Sequence, residues 1–111
     1  MECVPGELFY CDFPFSDACE FKDRPVLIVA KVFKDDAIVC MVTSKKAHFD
    51  DCIELHNADL TDGRLESNPS YIRPTRLFTT NPKLFRRKAG QVNETILNTV
   101  LNCLSKRFSP S

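Results

Sequence analysis

The chain has 111 residues, 43% of them apolar and 27% charged, and its 15 Lys+Arg balance 15 Asp+Glu. That is one domain's worth of globular chain, with surface enough for one core and not two, and it excludes a disordered or fibrous protein. No apolar run approaches the roughly 20 residues of a membrane helix, and the acidic opening MECVPGEL lacks the apolar stretch of an export signal.

In chain order, Leu8 to Phe15 reads as an aromatic-rich strand, with Leu8, Tyr10 and Asp12 on one face and Phe9, Cys11 and Phe13 on the other. Pro14 breaks it or places it at an edge. Ser16 to Asp23 is a polar loop. Pro25 to Val32 (PVLIVAKV) and Ala37 to Thr43 (AIVCMVT) are continuous apolar runs, the pattern of strands buried on both faces. The turn at Lys34-Asp35-Asp36 predicts that they pair as a hairpin. Asp51 to Leu55 alternates as a shorter strand. Asn57 to Pro69 reads as a long polar loop, and Ser70 to Thr79 as β-forming sequence interrupted by Pro74. Asn81-Pro82 opens a short helical turn through Phe85. Asn93 is an N-cap with Glu94 in the first turn. Ile96, Leu97, Val100, Leu101, Leu104 and Phe108 form a helical stripe that Lys106 and Arg107 close at the carbonyl end.

The charges are unevenly placed. Met1 to Glu66 holds 7 basic and 14 acidic residues, whereas Ser67 to Ser111 holds 8 and 1. Either the two parts neutralise each other across the fold, or the basic part meets an anion. Six cysteines, with no export signal, read as reduced cytoplasmic thiols, and Cys11 and Cys40 as small core residues. His48, Cys52 and His56 are four residues apart in turn, but the local alternation is that of a strand, and zinc sites use tighter pairs. The sequence therefore predicts no metal site and no cofactor. Cys19 lies in a polar loop with no histidine close in sequence to activate it.

Short strands followed by one amphipathic helix predict a mainly β fold, a small bent sheet or barrel covered by the helix, in a single domain over residues 1–111. Five pieces then stand in order: Gly6-Glu7-Leu8 with Asp12-Phe13-Pro14-Phe15; Arg24-Pro25 before an apolar strand; Thr43-Ser44 at the end of the next; Ser70-Tyr71-Ile72-Arg73-Pro74; and Ala89-Gly90-Gln91-Val92 before the helix. In order and spacing, from about Val4 to Leu104, they resemble the PemK/MazF-like toxins of bacterial toxin–antitoxin pairs. The resemblance implies an SH3-like barrel of about five to seven strands with a long C-terminal helix, usually a homodimer. It also implies a metal-independent endoribonuclease acting on single-stranded RNA, silenced by an antitoxin protein, with DNA reached only through that antitoxin and no membrane partner.

Cleavage without a metal uses the RNA's 2′-hydroxyl as nucleophile and leaves a 2′,3′-cyclic phosphate. It needs a base, an acid and a cation for the charge that grows on the phosphate. Arg24, at a loop-to-strand junction, has the planar fork for phosphate; its competing role is a surface ion pair with Asp17, Glu20 or Asp23. Thr43 and Ser44 offer hydroxyls, or cap the strand end. Arg73 and Glu20 complete the catalytic expectation. In many relatives an aspartate follows the late-strand arginine closely; here Pro74, Thr75 and Arg76 follow, and Glu20 stands one residue from the place of a first-loop glutamate. Lys45, Lys46, Arg73 and Arg76 would bracket an RNA backbone, with Tyr71 and Phe15 available for base stacking. Arg86-Arg87-Lys88 would serve RNA, an acidic antitoxin segment or solvent. Two other readings remain: a non-enzymatic or degenerate barrel that grips a protein, as topoisomerase-inhibiting toxins do, and a simple barrel with an unrelated ligand.

Overall fold

The structure is a computed structural model in which residues 3–14, 21–45 and 52–110 are described. Phe15, Glu20 and Lys46, like Asp17, Cys19 and His48, lie outside them. Seven strands, β1 (Glu7–Pro14), β2 (Phe21–Lys31), β3 (Ala37–Thr43), β4 (Ile53–Leu55), β5 (Leu60–Gly63), β6 (Ser70–Thr80) and β7 (Phe85–Val92), precede one helix, α1 (Glu94–Phe108). They form a single sheet in the order β4-β6-β3-β2-β1-β7-β5. Every neighbouring pair is antiparallel.

That order dictates curvature. β4 and β5 are opposite edges of the sheet, yet only residues 56–59 join them. Laid flat, seven strands would hold their edges about 29 Å apart. Five chain steps span at most about 18 Å, so the sheet curls into a half-barrel. β2 and β3 do pair as a hairpin, through a turn in which Lys34 and Asp35 adopt left-handed φ values of 60° and 70°.

The curl explains why two strands are apolar throughout. Leu8, Tyr10, Leu27, Val29, Cys40, Val42 and Ile72 point into the hollow, where Val100 and Leu104 of α1 close the core. Their alternates Phe9, Cys11, Val26, Ile28 and Val39 form a second cluster on the outer face with Cys3 and Phe85. There the rings of Phe9 and Phe85 stack at 4.7 Å. The sequence argument for strands buried on both faces therefore holds for β2 and β3. Burial pushes the Cys40 thiol up to about 12, as a core role requires.

α1 begins as its cap predicts: the Asn93 side chain accepts the Ile96 amide at 2.8 Å. Of the expected stripe, Val100 and Leu104 are buried and Ile96 and Leu97 pack against the core, but Leu101 is 38% and Phe108 69% exposed. Both turn part of their surface to solvent instead of completing the buried stripe. Among the described residues, no helix is long and apolar enough to cross a membrane.

Three segments differ from the sequence reading. The long polar loop contains a helical turn at Asn57–Asp59 and the strand β5. The segment read as a basic run and a helix lead-in is the strand β7, after a single helical turn at Pro82–Leu84. β6 is not interrupted at Pro74: its pairing with β3 jumps from Arg73 opposite Met41 to Leu77 opposite Cys40, and the buried proline sits in the bulge between them.

Candidate active site

The site is assembled by strand register. β2 and β3 pair with Leu27 opposite Cys40 and Val26 opposite Met41. Two steps further along each strand, the same register brings Arg24 level with Thr43. Tyr10 of β1 stands opposite Pro25. At this end of the half-barrel a cleft of about 320 Å³ opens. Tyr10, Pro25, Val42 and Leu65 form its apolar wall; Arg24, Thr43, Ser44, Lys45, Glu66, Ser67 and Ser70 supply its polar lining.

Each polar group has a local reason to be there. β3 ends at Thr43, whose hydroxyl oxygen accepts the Lys45 amide at 3.2 Å. That is the strand-end cap foreseen for this residue, and it leaves the Thr43 O–H free to donate elsewhere. The opposite lip is the segment between β5 and β6. Arg64 donates its amide to the Ala89 carbonyl at 3.0 Å, and Leu65 donates its own to Asn57 Oδ1 at 2.9 Å. Ser70 donates its hydroxyl to the Ser67 carbonyl at 2.8 Å. A loop held at this many points is a rigid wall.

Tyr10 binds that lip to the sheet. It is only 3% exposed, and its phenol oxygen accepts the Glu66 amide at 3.1 Å. The Arg87 guanidinium lies over its ring at 4.0 Å and reaches the Glu66 carboxylate at 2.6 Å. Two cations, Arg24 and Lys45, therefore face a carboxylate across a cleft lined with hydroxyls. That arrangement suits a phosphodiester: cations and O–H donors for its oxygens, and a group able to take a proton.

A family model for the PemK-like, MazF-like toxins of type II toxin–antitoxin systems matches residues 4–108. The chain belongs to this family. No curated protein matches its sequence. The solved structures to which the chain is similar include three mycobacterial proteins. One is an endoribonuclease from a mycobacterial species, with a TM-score of 0.72 at 14% identity over 96% of this chain and 90% of that one. A second is a mycobacterial endoribonuclease in complex with its cognate antitoxin, with a TM-score of 0.75 at 14% identity over 98% and 99%. The third is the Mycobacterium tuberculosis toxin MazF-mt6, at 0.68 and 15% identity over 92% and 95%. At such identities the likeness is one of fold, and the toxin fold is what the curled sheet and its helix reproduce.

Of the residues singled out from the sequence of this toxin-family chain, Arg24, Thr43, Ser44 and Lys45 share the cleft. Tyr71 and Arg73 do not line it. They lie on β6 opposite Thr43 and Met41, one strand away, both half-buried. Arg76 is exposed in the β6 bulge. His56 lies on the far side of β6, after β4, 3.0 Å from Glu54, and the described residues contain no cluster of three or more metal-ligating side chains.

Tyr10 and Glu66 escaped the sequence reading, and Arg87 entered it only within the basic run Arg86-Arg87-Lys88, open to RNA, an antitoxin or solvent. Tyr10 alternates with Leu8 and reads as core, which its ring is. Glu66 sits in a stretch read as a polar loop, and Arg87 in one read as a helix lead-in rather than a strand. Their one sequence signal is the charge imbalance itself, since Arg87 and Lys88 of the basic part pair with Glu66, Glu7 and Asp62 of the acidic part.

Proposed function

We infer that this toxin-family chain is an endoribonuclease that cuts single-stranded RNA without a metal ion, using the RNA's own 2′-hydroxyl and leaving a 2′,3′-cyclic phosphate. The observation that carries the reading is the shared cleft of Arg24, Thr43, Ser44 and Lys45. The half-buried Arg24 stands where β2 has just joined the sheet, so its fork is held by a rigid strand rather than a free loop. In the cleft it neutralises the charge that builds on the phosphate in the transition state. The Thr43 and Ser44 hydroxyls donate to the same oxygens, and Lys45 draws the backbone in.

Arg73, Tyr71 and Arg76 extend the RNA path along β6 next to Thr43, with Tyr71 offering a stacking face. Glu20, Phe15 and Lys46 belong to the same proposal. The chain is held silent by a protein antitoxin, as the mycobacterial endoribonuclease found with its cognate antitoxin suggests. It acts as a cytoplasmic homodimer and meets DNA only through that antitoxin. The competing reading, a barrel that grips a protein without cutting RNA, draws on Pro74, Thr75 and Arg76 following Arg73 where many relatives carry an aspartate close behind the late-strand arginine.

The test is incubation of the purified protein with mixed-sequence single-stranded RNA in EDTA. Cuts at a fixed sequence ending in 2′,3′-cyclic phosphate are expected. Arg24→Ala should lower the rate by about 10²–10³-fold, the usual cost of removing one transition-state donor. RNA left intact by the wild-type protein would decide for the protein-binding barrel.

A further inference from the structure

The four cleft residues supply charge and hydrogen-bond donors, but none of them takes a proton at neutral pH: a guanidinium, two hydroxyls and an ammonium are all poor bases there. Abstraction of the 2′-hydroxyl proton needs a basic atom. Among the described residues that line the cleft, Glu66 provides one.

Its placement is built rather than incidental. The Glu66 backbone is anchored by the phenol of the buried Tyr10 at 3.1 Å. Its carboxylate is anchored by Arg87 at 2.6 Å, and that guanidinium is itself stacked on the same phenol ring at 4.0 Å. Strands β1 and β7 thus hold one carboxylate on the lip across the cleft from Arg24. The contact with Arg87 uses Oε1, which leaves Oε2 to accept. A two-oxygen carboxylate can be held by one atom and act with the other.

We propose that Glu66 is the general base of the cleft, with Tyr10 and Arg87 as its positioning residues. The assignment rests on the nuclease reading given above. The 2′-oxygen attacks phosphorus and forms a new P–O bond as its proton passes to Glu66. The bond from phosphorus to the 5′-oxygen breaks with its electron pair, and that oxygen takes a proton from water. The products are a 2′,3′-cyclic phosphate and a 5′-hydroxyl, and Glu66 returns its proton to solvent. Among the described residues, the charged and titratable groups that face Glu66 are Tyr10 from β1, Arg24 from β2, Lys45 beyond β3 and Arg87 from β7.

The experiment measures single-turnover cleavage of an RNA oligonucleotide that carries the wild-type cut site, across pH 4–9, for wild type, Glu66→Gln and Glu66→Ala. Glu66 is exposed, so neither substitution disturbs the core. The expected result is a loss of about 10²–10⁴-fold in the cleavage rate of Glu66→Gln, the usual range for removing a general base. The rise of the wild-type rate with pH on the acid side should flatten in that variant, and added formate should restore part of the Glu66→Ala rate. A Glu66→Gln enzyme with the wild-type rate and pH profile would overturn the assignment. So would a variant that weakens RNA binding alone, or a Glu66→Ala enzyme that formate does not rescue. In each of these cases wild-type cleavage and its loss in Arg24→Ala would leave the nuclease reading standing. A wild-type protein that cuts no RNA removes both.

Discussion

Lys88 reaches the nearly buried Glu7 carboxylate at 3.0 Å and Asp62 at 3.6 Å. The hydrogen bond to Glu7 is the main reason its pKa is raised from 10.5. Glu7 also accepts the Val4 amide, so one carboxylate ties the chain start to β7. Exchanging it for an amide keeps one acceptor oxygen but removes the charge and the second oxygen that Lys88 holds. Glu7→Gln should cost about 1–3 kcal/mol in urea denaturation at neutral pH. The sign of the pH effect follows from the direction of the shift. Lys88 holds its proton more tightly folded than unfolded, so its contribution is complete below the unfolded value near 10.5 and fades as the pH climbs through the higher folded value. Between about pH 9 and pH 12 the wild-type protein should therefore lose stability more steeply than Glu7→Gln. Lys88 is 39% exposed, so solvent and salt keep the difference small.

At the scale of elements, the helix offers a direct comparison. Leu104 is 8% exposed against the core and Leu101 is 38% exposed, one turn earlier on the same helix. Leu104→Ala should lower the unfolding free energy by about 2–4 kcal/mol, and Leu101→Ala by under about 1 kcal/mol. A shift of the urea midpoint, with an unchanged slope, reads both. The same elements mark what periodicity can and cannot reveal. β2 and β3 were legible because both of their faces are buried, so their sequences are apolar without interruption. α1 was legible from Asn93 and the spacing of Val100 and Leu104. β5 and β7 were not. β5 is four residues, LTDG, with no buried side chain. β7 spends Arg86, Arg87 and Lys88 on ion pairs and solvent, so charge hides its alternation. Gly63 and Gly90 face each other across these two strands, and a Cβ on either would collide with the opposite backbone. Such closeness exists only in the paired state and leaves no local mark.

The site was legible to the same degree and for the same kind of reason. Arg24, Thr43, Ser44 and Lys45 flank the two strands that could be read, and the hairpin register alone brings them together. Glu66 and Arg87 hang on β5, β7 and the loop after β5. Their meeting with Tyr10 joins residues more than 50 positions apart, which no local pattern encodes.

For the molecule as a whole, the acidic and basic parts of the chain meet along β7. Glu7, Asp62 and Glu66 converge there on Arg87 and Lys88, so much of the imbalance is settled within the fold. Among the described residues, Arg24 and Lys45, from the acidic part of the sequence, are the cations that line the cleft.

β1 lies between its hairpin neighbour β2 and the late strand β7. During synthesis the amino-terminal strand must wait, one side bare, for a partner made some 75 residues later. A polypeptide stopped after Lys83 would keep that side open and invite the wrong neighbour. Expressed alone, such a fragment should sediment with the insoluble fraction, while the full-length protein stays in the supernatant. Toxin still emerging from the ribosome would then be harmless until β7 has been made.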